Sequence, residues 1–398
     1  MTYDFTTVID RHGRDALAVD ALGHGTCPGA PKDGFDAIPM WVADMNFATV
    51  PAIPAAIAQR AAHPLYGYFF PTDDYYNAII NWQRERNGVT DLTREHIGHE
   101  NGVLGGVVSA LGALCCRSDK VLLHSPTYVG FTGSIETAGY RIVHSPLQKD
   151  DGGVWRMDFA DMEQKILAHN IRTMVFCSPH NPTGRVWERE ELEALIALCE
   201  KHDVYLISDE IWSDLILSGT HIPTQSVSEW ARQHTIALYA PSKTFNLAGL
   251  VGSYHIIYND ALHRRVRQEG ALSHYNNMNV LSMHALMAGY TTEGAQWVDE
   301  LRQVLAQNVD FACRFFDGID GISVARPQGT YMLFPDFTDW CKAHNCTIDE
   351  LLRRGWDVGV AWQDGRPFHG PCHIRMNLAL PHSRVQEAFR RLGEYVFV

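Results

Sequence analysis

The sequence predicts an α/β fold built on a large, mostly parallel sheet flanked by helices, with a smaller α+β domain made from both chain ends. Three observations carry this expectation. Between about residues 120 and 258, short apolar runs alternate with longer amphipathic segments. The runs are rich in β-branched and aromatic residues and almost continuously apolar, as strands covered on both faces are. Beyond residue 289 the pattern changes to one long helical stretch followed by short strand-like pieces.

Taken in order, the first 45 residues are irregular, rich in Gly, Pro and Asp, and contain the apolar stretch MWVADM at 40–45. The longest apolar run, 103–116, is rich in Gly and Ala and shorter than the roughly 18 residues needed to span a bilayer. Strands are expected at 120–124 (KVLLH), 172–177 (RTMVFC), 204–208 (VYLIS), 235–240 (TIALYA) and 253–257 (SYHII). Between the second and third, 188–201 places Leu192, Leu195, Ile196 and Cys199 on one helical stripe. Right-handed crossovers then put the C-terminal ends of the parallel strands on one edge. A long helix is expected at 297–316, strand pieces at 329–334 and 373–378, and a last helix from about residue 383. The expected division is a segment 1–45 joining the small domain, a large domain 46–288 and a small C-terminal domain 289–398.

Composition narrows the function. The 398 residues carry 33 Lys+Arg against 46 Asp+Glu, a formal charge of −13. That balance argues against nonspecific binding to nucleic acid or anionic membranes, which needs a basic surface. Nine cysteines form no C-x-x-C, Cys341 and Cys346 are too isolated to read as zinc ligands, and no metal is expected. Buried free thiols in a reducing compartment are the simpler reading. The N-terminus is charged throughout and lacks the apolar core of a signal peptide, so a cytoplasmic protein is expected.

Three motifs follow strands on the edge where α/β sheets place active sites. SPHNPTG at 178–184 stiffens a loop with Pro179 and Pro182 and leaves the Asn181 amide free to face the cleft. SDEIW at 208–212 puts Asp209 at a buried strand end, where a carboxylate needs a cation or several donors. APSKTFNLAGL at 240–250 places Lys243 in the cleft, where loss of water lowers an amine's pKa. Singly, these are a turn, a helix cap and a solvated lysine. Together they supply a lysine for a Schiff base, a carboxylate for a pyridinium nitrogen and an amide for a phenolic oxygen, as pyridoxal 5'-phosphate requires.

Asn181, Asp209 and Lys243 are separated by 28 and then 34 residues. In this order and spacing the sequence resembles the fold-type I, class I/II aminotransferase superfamily over nearly its whole length. Its resemblance is closest to the branch of cystathionine β-lyases and other C–S β-lyases (the MalY/PatB type). The marks are YDFTTVIDRHG, MWVADM, YGYFFP, SPHNPTGRVW, the S-D-E-I start, SKTFNLAGL, GTYMLF and IRMNLALP.

The resemblance implies an aspartate-aminotransferase-like fold with a seven-stranded sheet. It gives Lys243 the cofactor, Asp209 the ring nitrogen, Asn181 the phenolic oxygen and Tyr128 the ring face. It sets the phosphate on the amides of Gly102, Val103 and Leu104 at a helix start, with Ser242 adding a hydroxyl. Arg375 would grip the substrate carboxylate, with Asn181, Trp41 and Tyr66 beside it. Tyr68, or alternatively Tyr66, resembles the tyrosine that reaches a neighbouring subunit's phosphate and lysine, which implies a homodimer with shared sites.

Two positions depart from the branch. Trp212 stands where relatives carry His or Tyr against the phenolic oxygen, and Asn46 replaces an Asp, with an effect expected at the mouth of the site. WQDGRPFHG at 362–370 has no role derivable from sequence, and its His369 reads as structural. The activity implied is β-elimination from an amino acid with a β-sulfur leaving group. An aminotransferase is the alternative, and a non-catalytic regulator on the same scaffold is a third reading.

Overall fold

A computed structural model describes residues 1–272 and 276–398. Its central sheet has seven strands: β1 Ile97–Glu100, β2 Lys120–Ser125, β3 Arg141–Pro146, β4 Thr173–Cys177, β5 Tyr205–Asp209, β6 Thr235–Tyr239 and β7 Ser253–Ile256. They lie in the order β1-β7-β6-β5-β4-β2-β3. Strands β2 to β6 are parallel, and β7 runs antiparallel to both of its neighbours.

The register explains the near-continuous apolar runs. Leu123, Val175, Ile207 and Ile236 stand side by side across four strands. They face one cluster with Val107, Leu111 and Phe131. Their predecessors Leu122, Met174 and Leu206 face the opposite cluster with Trp187, Leu192 and Leu195. Adjacent residues in a strand point to opposite faces, so a sheet covered on both sides cannot alternate in polarity.

Two strands lie outside the sequence expectation. β1 (IGHE) carries a Gly, a His and a Glu, and β3 (RIVHSP) is an edge strand with a half-exposed, partly polar surface. Edge positions need less apolar surface, so the pattern that reveals central strands is absent there.

Helix α1, Val103–Leu114, accounts for the long apolar run, burying Val103, Val107, Ala110 and Leu111 on one face. Helix α2, Arg189–His202, starts at a capping box between Glu188 and Glu191 and buries the expected Leu192, Leu195, Ile196 and Cys199. The long C-terminal helix α3 is longer than its periodic core suggests, running Thr292–Asp317 from a Thr291 cap. α4 spans His382–Tyr395.

The strand expected at 329–334 shortens to Met332–Leu333 because Thr330 is left-handed, with φ 65°. Met332–Leu333 and Gln363–Asp364 both pair antiparallel with Ile374–Asn377. Ile38–Pro39 from the N-terminal segment pairs in parallel with Val360–Ala361. All nine cysteines are free, and among the described residues no helix is long and apolar enough to cross a membrane.

MWVADM works as a strap between these layers. Asn377 Nδ2 donates to the Val42 and Asp44 carbonyls at 2.7 and 2.5 Å. Asn246, in the loop after β6, accepts from the Met45 amide and donates to the Met45 carbonyl, each at 2.9 Å. Asn246 holds φ 58°, a conformation Asn tolerates better than most side chains. Asn246→Ala loses both bonds and adds left-handed strain. It is expected to lower stability by about 2–4 kcal/mol, read as a fall in urea midpoint, with Asn246→Gly falling less because glycine relieves the strain.

Candidate active site

The loops after β4, β5 and β6 converge with the start of α1 on a cavity of about 290 Å³. Lys243, Asp209, Asn181, Tyr128, Gly102, Val103, Leu104, Ser242 and Trp212 all line it. Register sets their depth: Cys177, which ends β4, lies beside Asp209, and Asp209 beside Leu238 of β6.

Lys243 sits in the short turn Pro241–Thr244, and its Nζ donates to the Ala43 carbonyl at 2.8 Å. Burial pushes its pKa down to about 8, and the Arg375 charge adds to that, while Asp44 and Asp209 pull the other way. Asp209 is fully buried and accepts the Ile211 amide at 3.0 Å. Desolvation raises its pKa to about 7, against the opposing effects of that amide and Lys243. Neither group has an ion-pair partner among the described residues.

Arg375 is buried and does not itself line the cavity, but it adjoins the cavity through Asn181, which does. It donates to Asn181 Oδ1 at 3.3 Å, the Trp41 carbonyl at 3.0 Å and Gln363 Oε1 at 2.6 Å. Its guanidinium lies 4.3 Å from the centre of the Phe368 ring. Every one of these partners is neutral, its Nε has none among the described residues, and burial lowers its pKa to about 10. A buried guanidinium without a carboxylate is costly, and an incoming anion would relieve that cost.

Tyr128 lies along the wall, its hydroxyl pKa raised by burial. Its ring needs Gly130, because a Cβ there would fall 2.4 Å from Tyr128 Cε1. Trp212 is buried, packed edge-on to Tyr331 at 4.7 Å, and its ring centre lies 5.7 Å from Lys243 Nζ.

Other predicted residues lie elsewhere. Trp41 contributes only its carbonyl to Arg375, since its indole Nε1 donates to the Ala18 carbonyl. Tyr66 and Tyr68 line a separate, larger cavity of about 1070 Å³. Tyr66 Oη donates to the Ala61 carbonyl at 2.6 Å, and Tyr68 is fully exposed. Asn46 is not among the residues lining the cavity; its Oδ1 accepts from Arg11, which also pairs with Asp44 at 2.5 Å. His369 packs against His144, with ring centres 4.1 Å apart.

Four participants carry no signal of their own in the sequence. The Ala43 carbonyl accepts from both Lys243 and Tyr331 Oη. Gln363 and Phe368 hold Arg375. Ala43 and Tyr331 do lie within recognisable motifs, MWVADM and GTYMLF, but neither motif marks this contact.

These residues fit pyridoxal 5'-phosphate. Asp209 is a buried carboxylate that lacks a cation, which a protonated ring nitrogen would supply. Gly102, with φ 78°, turns the chain into α1 so that first-turn amides face the cavity beside Ser242. Lys243 has an amine whose pKa, lowered to about 8, leaves a neutral fraction near physiological pH that an ordinary lysine lacks. Such a fit, on a sheet of this topology, defines a fold-type I pyridoxal-phosphate enzyme.

The chain belongs to the family "Aminotransferase class I and II", whose model matches residues 37–392. It is 33% identical to "Cystathionine beta-lyase PatB" of Bacillus subtilis over 364 residues, covering 90% of this chain and 92% of that one. A pyridoxal-phosphate-bound C–S lyase from Staphylococcus hominis superposes with a TM-score of 0.87 at 29% identity, covering 98% of both chains. Cystalysin from Treponema denticola, whose crystal structure contains pyridoxal 5'-phosphate, gives 0.88 at 30% identity, covering 99% of this chain and 98% of that one.

The lowered pKa of Lys243 has a direct test. In protein stripped of cofactor, acylation of Lys243 requires the neutral amine, so its rate should rise through about pH 8. An ordinary exposed lysine rises through about pH 10.4 instead. Peptide mass mapping after short pulses of acylating reagent reads both curves, and a Lys243 midpoint near that of exposed lysines would contradict the burial argument.

Proposed function

We propose that this protein is a pyridoxal 5'-phosphate-dependent C–S β-lyase that converts β-thio-substituted amino acids to a thiol, pyruvate and ammonia. One observation carries the cofactor and substrate class: half-buried Lys243 and buried Asp209 line one cavity, buried Arg375 adjoins it through Asn181, and none has an ion-pair partner among the described residues. The lyase outcome is supported by the relatives, named as cystathionine β-lyases and C–S lyases.

When bound, the cofactor supplies an electron sink for the pair released at Cα. Asp209 holds the proton on the ring nitrogen, Asn181 donates to the phenolic oxygen and Tyr128 covers one ring face. Gly102, Val103, Leu104 and Ser242 hold the phosphate, and Trp212 closes the wall beside Lys243. Arg375 binds the substrate's α-carboxylate and so orients its Cα–H bond toward Lys243. The neutral Lys243 amine takes the Cα proton, the Cβ–S bond breaks, and the sulfur departs as a thiol. Water then completes the release of pyruvate and ammonia.

The site is completed by a second copy of the chain. Leu65, Tyr66, Tyr68 and Phe70 form an exposed apolar stretch on an isolated chain, the kind of surface that marks an interface. Tyr68 is the better candidate to reach a neighbour's lysine, because the Tyr66 hydroxyl is already held by Ala61. Nine unpaired thiols support a reducing, cytoplasmic setting.

Incubation with cystathionine or S-methyl-L-cysteine is expected to release equal amounts of thiol and pyruvate. Lys243→Ala is expected to abolish both and to lose the visible absorption band of the holoenzyme. Amino-group transfer to a 2-oxo acid without thiol release would favour an aminotransferase, and neither activity a non-catalytic protein. Sharing of the site is tested by mixing two inactive variants, Tyr68→Ala and Lys243→Ala. Random dimers should regain about a quarter of native activity, whereas a self-contained site would regain none.

A further inference from the structure

The segment WQDGRPFHG, to which sequence alone attaches no role, lies against the one cation assigned above to the substrate carboxylate. Gln363 stands opposite Arg375 in an antiparallel pair, and its Oε1 takes Arg375 Nη2 at 2.6 Å. Phe368, wholly buried, stacks on the same guanidinium. The Phe368 carbonyl in turn accepts the Thr127 amide at 3.0 Å, which joins this segment to the loop carrying Tyr128. Gly365 and Gly370 close the turn tightly over His373, since a Cβ on either would fall within 3 Å of it.

The chemistry of these contacts is selective. A carboxylate at position 363 would also accept from Arg375, but it would neutralise the charge and compete with a substrate carboxylate for the same donors. An amide oxygen fixes the guanidinium and leaves its charge in place. A phenyl face does the same, restricting the plane of the guanidinium without a counter-ion. The Asn181 and Trp41 oxygens add two further neutral acceptors. Arg375 is therefore held on several sides, and none of its contacts neutralises it.

We propose that Gln363 is a positioning residue which, with Phe368, orients Arg375 while preserving its charge and so sets the enzyme's affinity for amino acids with a free α-carboxylate. This rests on the reading that Arg375 binds that carboxylate. Gln363 itself has no contact with the reacting atoms.

The test uses holoenzyme and two ligands followed by the change in cofactor absorption: L-alanine, and ethylamine, which is alanine without its carboxylate. Neither has a β-leaving group, so the measurement is independent of whether the enzyme is a lyase or an aminotransferase. Gln363→Glu is expected to weaken L-alanine binding at least about tenfold and ethylamine binding less than about twofold. With S-methyl-L-cysteine, the same variant should raise KM while kcat stays within about twofold. Gln363→Leu, which removes the acceptor without adding charge, should weaken L-alanine selectively but by less than Glu does. It also serves if the Glu variant fails to fold.

Equal losses for L-alanine and ethylamine, or undiminished L-alanine affinity in Gln363→Glu, would overturn the proposal. Arg375→Leu separates the two levels. If it leaves L-alanine affinity intact, the reading of Arg375 falls and this proposal with it. If it destroys that affinity while Gln363→Glu does not, only the role of Gln363 falls.

Discussion

Lys243, Asp209 and Arg375 lie in and beside one cavity, shielded from water, without a counter-ion at hydrogen-bond distance for any of them among the described residues. Desolvation therefore acts on all three in the direction of charge loss. It lowers the lysine and the arginine and raises the aspartate. A folded chain keeps such groups in place only if the surrounding structure is rigid enough to resist their hydration. Much of the architecture around the cleft can be read as meeting that requirement.

The sheet provides the first part of that rigidity. Strands β4, β5 and β6 are buried except for Tyr205 at the start of β5, and their hydrogen-bond register sets Asp209 at a fixed depth behind the loop carrying Lys243. MWVADM provides the second. Its Ala43 carbonyl holds the lysine and Tyr331, its Trp41 carbonyl holds Arg375, and two asparagines, Asn246 and Asn377, pin its backbone. An apparently irregular stretch is thus the common support of groups from three distant parts of the chain. The positions of Asn46 and Arg11 extend this support: outside the cavity, Arg11 ties Asp44 of the strap to Asn46 just beyond it.

Neutral polar contacts recur throughout the site. Carbonyls, amides and aromatic faces orient the charged groups, while full ion pairs such as Arg185 with Glu191 lie outside the cavity. His180 beside the cleft follows the same pattern, whereas His221 and His255, away from it, pair with Glu210 and Glu100. His180, within SPHNPTG, bonds Thr183 at 2.8 Å and is pushed down to about 3 by burial, so it stays neutral beside Asn181.

Central strands, the helix α2 stripe and the motif loops were legible in the sequence because each depends on local pattern and on burial of both sheet faces. The lysine, aspartate and asparagine were legible because chemistry demands those residue types just after strands. The edge strands β1 and β3 were hidden, since edges impose little apolar periodicity. The Ala43 carbonyl, Tyr331, Gln363 and Phe368 were hidden for a different reason. Their part in the cleft depends on contacts spanning up to about 290 residues of chain. Sequence by itself determined which chemical groups could occupy the cleft. Only the tertiary structure decided which of them are left without a counter-charge, because desolvation and pairing depend on neighbours that chain order does not specify.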